Sequence, residues 1–232
     1  MSLIEIYNLL YAHFGQQNWW PVTEQGELHS KYSGGPKNER QQLEVIFGSI
    51  LTQNTSWKNV EKAIFQLNKK ELVDIKKIIK IDTKKLAEAI KSSGYHNQKA
   101  KKLKNFCNFL LNKHKGDLKD LFENDVERLR QELLSVNGIG PETADSIILY
   151  AAKKPMFVVD AYTRRIFGRV GFKEKTYDEF QGLFMKSMPN NEKLFNEYHA
   201  LIVELGKNIC KKSPLCGECP INKHCDYQKC LH

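Results

Sequence analysis

Long apolar runs are missing from this 232-residue chain, and no stretch approaches the ~18 apolar residues that a membrane-spanning helix requires. The start, Met1-Ser2-Leu3-Ile4-Glu5-Ile6, also lacks the basic lead and apolar core of a secretory signal. A cytoplasmic protein with no membrane partner is expected, nucleoid-associated if the source is prokaryotic. Alternating apolar and polar positions are almost absent, and the β-like run Met156-Phe157-Val158-Val159 is too short to carry a sheet. Acidic residues are in deficit: 27 Asp and Glu against 36 Lys and Arg give a net charge of +9. That excess suits a polyanionic partner without establishing one. Cysteine is nearly absent before residue 210, where Cys107 stands alone, so a disulfide framework is not expected in a reducing compartment. Internal repeats and low-complexity tracts are missing too.

What is present is helical periodicity. Leu43, Ile46, Phe47, Ile50 and Leu51 share one face of a helix that starts near Gln42. Similar patterns predict helices at about 3–14, 57–67, 71–79, 83–92, 98–113, 126–135, 141–152, 161–170, 176–188 and 191–207. Gly94 and Gly116 mark stops, and Thr176 and Asn190 stand where helix caps belong. Cys107, on a face with Leu103, Phe106 and Leu110, reads as core. Lysines between Lys69 and Lys119 interleave with apolar positions and read mostly as solvated helix faces. The fold class is all-α, and the length allows two helical domains.

The chain is organised around residues 133–170, LLSVNGIGPETADSIILYAAKKPMFVVDAYTRRIFGRV. Gly138-Ile139-Gly140-Pro141 is a tight turn between two helical patterns, and Pro141 suits a first helical position. Such a turn, with free N–H groups at a helix start, can hold a phosphate; alone it reads equally as an ordinary connector. Asp160 follows the short apolar run and could simply cap the next helix. Near the carboxy terminus, Cys210, Cys216, Cys219 and Cys225 form C-x5-C-x2-C-x5-C, with Pro214 and Pro220 bending the loop. Four thiolates so spaced can converge on zinc or on a [4Fe–4S] cube, and spacing does not decide between them. Cys230 falls outside the pattern and reads as a non-ligand. Two further stretches stand out, Trp19-Trp20-Pro21 and Leu51-Thr52-Gln53-Asn54-Thr55-Ser56-Trp57. Two adjacent tryptophans cannot both fill one core, so one of Trp19 and Trp20 is expected to pack.

Hairpin, acid, Thr-Gln-Asn-Thr and cysteine loop together resemble the endonuclease III superfamily of helix-hairpin-helix DNA glycosylases, over residues 19–227. The Trp-Trp-Pro segment and the aromatic after Thr-Gln-Asn-Thr are most similar to its 3-methyladenine glycosylase branch. The resemblance implies two helical domains, residues 39–154 as a six-helix unit with the hairpin, and residues 1–38 plus 155–232 with the metal loop. It implies that Asp160, eighteen residues past Glu142, is the catalytic acid at the domain junction. Trp19, Trp20, Pro21, Trp57 and Glu142 would form the base pocket. Gly138 and Gly140 would grip a DNA phosphate, with Asn54 alongside, and Gln53 would fill the gap left by an extruded base. Cys210, Cys216, Cys219 and Cys225 would hold a [4Fe–4S] cluster, with zinc as the alternative; the first gap of five residues is one shorter than the family's usual six.

Bifunctional relatives carry a lysine where this chain has Glu142, so the resemblance implies base removal without strand cleavage. The expected partner is double-stranded DNA containing a damaged base, bound by a monomer, with an alkylated purine favoured. A glycosylase for another lesion and a non-catalytic DNA-binding module are the competing readings.

Overall fold

The computed structural model describes residues 1–229, so Cys230 lies outside the described residues. In chain order the first helices are α1 (Leu3–Phe14), α2 (Glu39–Leu51), α3 (Trp57–Lys69), α4 (Ile75–Lys80), α5 (Thr83–Ala89) and α6 (His96–His114). There follow α7 (Leu118–Glu123), α8 (Val126–Leu134), α9 (Pro141–Ser146), α10 (Ala161–Val170), α11 (Tyr177–Ser187), α12 (Glu192–Asn208) and α13 (Asp226–Lys229). A two-residue antiparallel ladder, β1 (Val22–Thr23) with β2 (Ser30–Lys31), is the only sheet among the described residues. The chain is all-α in class and divides into two compact units.

The first unit, residues 18–154, is built on α2, whose residues from Leu43 to Leu51 are all buried. A helix buried all round must satisfy its polar groups internally, and Ser49 Oγ donates to the Val45 carbonyl at 2.9 Å. Residues 18–38 belong to this unit, whereas the sequence reading put them with the termini. The cause is a buried polar seam that ties the small ladder to α2 and α3. Thr23 N–H donates to Glu44 Oε1 at 2.8 Å, Gln41 Nε2 donates to the Thr23 carbonyl at 3.2 Å, and Asn68 Nδ2 donates to Thr23 Oγ1 at 2.9 Å. Burial pushes the Glu44 carboxyl above its ordinary pKa, opposed by the Thr23 bonds and by Arg40.

Eight helices occupy this unit rather than six. The expected helix at 71–79 begins only at Ile75, because Asp74 caps it through Lys77 N–H and Glu71 has a positive φ. α7, capped by Asp117, is too short to show a period. The helix that follows the hairpin continues past Ser146 as one π-helical turn, Ile147–Ala151, with every residue buried.

The second unit comprises residues 1–17 and the chain from Pro155 onward. Its core is aromatic: Phe157 stacks on Phe184 at 3.7 Å, while Phe195 and Tyr198 meet Phe157 edge-on. Tyr198 buries its hydroxyl but donates it to the Leu3 carbonyl at 2.8 Å, which fastens α1 to α12. Ser2 and Glu5 form a reciprocal capping box on α1, and Thr176 and Glu179 do the same on α11. The cap of α12 is Asn191, whose Oδ1 accepts from Leu194 N–H, and not Asn190.

Candidate functional site

The hairpin consists of α8, the turn 135–140 and α9. Its two glycines do different jobs. Gly138 has φ +99°, and a Cβ built there would lie 2.5 Å from Lys102 Cγ. The space over Gly138 is therefore filled by the Lys102 stem, so a positive φ and a close side chain both require glycine. Gly140 has open space around it, is exposed, and caps α9. Of the two, Gly140 is the one that an incoming group could approach.

The turn after α2 is bound to this hairpin. Gln53 Nε2 donates to the Gly138 carbonyl at 3.1 Å and to Thr143 Oγ1 at 2.9 Å, and Gln53 Oε1 accepts from Lys102 Nζ. One turn earlier on α6, Lys99 Nζ donates to the Leu51 carbonyl at 2.8 Å and the Ser93 carbonyl at 2.6 Å. Lys99 is only 2% exposed, and burial lowers its ammonium pKa to about 8, helped by Lys102. Asn105 Nδ2 donates to the Asn137 carbonyl at 3.0 Å. Asn54 is exposed with φ +56°, and Ser56 stands at the start of α3.

The aromatic residues gather in the same unit. Trp20 is buried, and its indole covers Gly48, where an added Cβ would stand 3.3 Å from Nε1. Its ring meets Trp57 edge-on at 5.2 Å and Tyr150 at 4.9 Å. Trp19 is half-buried against Tyr150 at 5.9 Å and Tyr32 at 6.5 Å. Trp20 is thus the packing member of the pair, and Trp19 and Trp57 are half-buried. Pro21 is buried behind them, and Glu142 is exposed in the first turn of α9. Tyr150, on the π-helical turn, was missed by sequence reading because a tyrosine in an apolar helix run looks like ordinary core.

In the other unit, Asp160 caps α10. Its Oδ1 accepts from Thr163 N–H at 2.7 Å and from Thr163 Oγ1 at 2.9 Å. Oδ2 takes no part in that cap and stands 3.9 Å from His199 Nε2 on α12. His199 is buried; burial lowers its pKa, and the Asp160 charge opposes that shift. Burial thus disfavours a charged imidazolium beside Asp160. Sequence reading missed His199 because a lone histidine on an apolar helix face carries no signal.

The four cysteines of the carboxy-terminal loop line one small cavity with Arg169, Ile209, Pro214 and Tyr227. Burial raises the Cys216 thiol, and the nearby Cys225 and Cys210 sulfurs add to the rise, as expected of converging sulfurs. No group of three ligating side chains among the described residues is arranged to hold a single ion. The donor set, four sulfurs around a shared cavity, is of the kind that zinc and iron–sulfur clusters both take. Helix α10 clasps the loop: Arg165 Nε donates to the Cys210 carbonyl at 2.9 Å, and Arg169 donates to Cys210 Sγ at 3.2 Å. The Arg169 guanidinium also stacks over Tyr227 at 4.7 Å.

The chain is thus a helical protein that combines a helix-hairpin-helix, an acid at a helix start and a four-cysteine loop. Residues 47–190 match the model of the HhH-GPD superfamily of base excision DNA repair proteins, and the chain belongs to that family. A Methanocaldococcus jannaschii protein provisionally named a DNA repair glycosylase is 44% identical over 96% of this chain and 95% of its own length. Endonuclease III of Sulfolobus acidocaldarius is 30% identical over 97% of both chains. Among solved structures, the Helicobacter pylori 3-methyladenine DNA glycosylase bound to 1,N6-ethenoadenine is 28% identical. It aligns with a TM-score of 0.73 over 89% of this chain and 98% of that one. An endonuclease III–DNA covalent intermediate shares the fold, with a TM-score of 0.79 at 22% identity, over 100% and 99% of the two chains. The chain is accordingly a DNA glycosylase of the base-excision repair class. No described helix is long and apolar enough to cross a membrane.

Proposed function

We propose that the protein is a monofunctional glycosylase that hydrolyses the N-glycosidic bond of an alkylated purine, such as 3-methyladenine, extruded from duplex DNA. The observation that carries this reading is the aromatic nest of Trp19, Trp57, Trp20 and Tyr150, with the first two half-buried. N-alkylation leaves a purine cationic, and a cation stacked on aromatic faces is favoured over its neutral counterpart. The similarity to a 3-methyladenine glycosylase crystallised with a modified adenine supports the same class. Asp160 is the acid: its Oδ2, which lies outside the cap, stabilises positive charge developing on the sugar or orients the attacking water. Exposed Gly140 holds a phosphate at the hairpin, with Asn54 nearby in the partner turn. The 30% identity to an endonuclease III favours a second reading, removal of another lesion with some strand cleavage.

Release of free bases from duplexes carrying one lesion each, at fixed salt, separates the two readings. The expected result is release of 3-methyladenine or a similar alkylated purine at least about tenfold faster than of deaminated or oxidised bases, a ratio that one pocket contact supports. Preferential release of an oxidised pyrimidine would replace the first reading with the second.

The cysteine loop holds a [4Fe–4S] cluster in this reading, with Cys210, Cys216, Cys219 and Cys225 as ligands and Arg169 donating to Cys210 Sγ. The cluster would serve to fix the loop and its lysines Lys211, Lys212 and Lys223. Protein purified without air is expected to be brown and to contain iron. Cys219→Ser should lose the colour and melt at lower temperature, since removing a ligand removes metal-linked folding energy. A colourless parent containing stoichiometric zinc would instead assign the loop to zinc.

A further inference from the structure

Base extrusion needs two actions at once: the hairpin must hold the strand while a side chain takes the vacated place in the duplex. Here the two meet on α6. Lys102 lies along Gly138 and ends on Gln53, while Gln53 returns two bonds to the hairpin, at the Gly138 carbonyl and Thr143 Oγ1. Lys99 and Asn105, three residues to either side on the same helix face, bond the Leu51 and Asn137 carbonyls. Two turns distant in sequence are therefore braced by one helix stripe of Lys99, Lys102 and Asn105.

We propose that Lys102 is a positioning residue for base extrusion, coupling the hairpin turn to Gln53. The proposal rests on the reading of Gln53 as the gap-filling side chain. An unrestrained glutamine samples many rotamers, and each must be given up when it enters the duplex. With its carbonyl held by Lys102 and its amide by the hairpin, Gln53 approaches DNA already oriented, and hairpin seating and Gln53 entry become one event. Geometry ties Lys102 to the turn: its stem occupies the space that a side chain on residue 138 would need. The rival reading is a plain phosphate contact, which a lysine beside a DNA-holding turn could also make.

Extrusion can be followed by the fluorescence of 2-aminopurine placed beside the lesion, which rises on unstacking whether or not the bond is later cut. Lys102→Met keeps the stem over Gly138 and deletes the amine. It should slow the fluorescence rise and kcat about tenfold, with KM within about twofold, because loss of orientation acts after binding. Lys102→Arg should restore most of the rate. Lys102→Met combined with Gln53→Met should be no slower than Gln53→Met alone, since the two residues act as one unit. Lys102→Gln, too short to reach Gln53, should repeat the loss and serves if the methionine variant does not fold. The slope of log affinity against log salt should be unchanged; a fall of about 0.9 would mark a lost phosphate contact instead. An unaltered fluorescence rise in Lys102→Met, or fully additive effects with Gln53→Met, overturns the coupling. A parent that extrudes but releases no base overturns the glycosylase reading and leaves the coupling to be judged on fluorescence alone.

Discussion

Asp160→Asn is expected to slow base release by about a thousandfold while leaving DNA binding and folding nearly intact, the scale seen when a charge aimed at the transition state is removed. The substitution separates the two duties of this side chain. The capping duty belongs to Oδ1, which accepts from Thr163 N–H and Oγ1. Asparagine caps helices as well as aspartate does, so stability should change by less than about 1 kcal/mol. The other duty belongs to Oδ2, the atom that faces His199 and lies outside the cap. Asparagine puts a neutral amide there, and a neutral group neither stabilises a sugar cation nor takes a proton from water. Single-turnover base release, with affinity for uncleaved lesion duplex measured in parallel, checks both halves. A variant within tenfold of the parent rate would mean that Asp160 is only a cap.

Asp160 also shows how far residue types and spacings carry. Its place was legible because a cap and an acid both require a carboxylate before a periodic run. Which oxygen does which job is a matter of torsion angles that spacing does not encode. Helices α1, α10, α11 and α12 were legible for the same local reasons, since a period of apolar residues and a capping side chain sit within one turn of each other. Residues 18–38 were not. Strands of two residues show no alternation, and the bonds that fix them, from Thr23 to Glu44, Gln41 and Asn68, reach up to 45 positions along the chain.

The lysines of α6 were misjudged for a related reason. Lys99 and Lys102 fall in a basic, interleaved segment and look solvated, yet Lys99 ends on two backbone carbonyls and Lys102 on Gln53. A long side chain takes its burial from where its tip ends, and helical period reports only where it begins. The turn at Gly138 likewise hides a contact that spacing does not encode: the space over its missing Cβ is taken by the Lys102 stem.

Glu142→Lys is expected to change the reaction rather than its rate. Borohydride, which traps almost nothing with the parent, should fix a substantial fraction of the variant to abasic DNA, on the order of tens of per cent, because an amine can add where a carboxylate cannot. Glu142 is exposed in the first turn of α9, so a lysine meets no packing obstacle. Exchanging an acid for a base at a helix start costs about 0.3–1 kcal/mol through the helix dipole, too little to unfold a domain. The new amine must also be unprotonated to attack. The chemistry balances within the variant: Nζ adds to the sugar aldehyde carbon and water leaves. The proton on C2′ is then removed, and the C3′–O3′ bond breaks. A covalent band on a denaturing gel, present with Glu142→Lys and absent with Glu142→Gln, is the expected pattern. Equal trapping by the parent would mean that another lysine of this chain already performs the step, and the enzyme would then be bifunctional despite its glutamate.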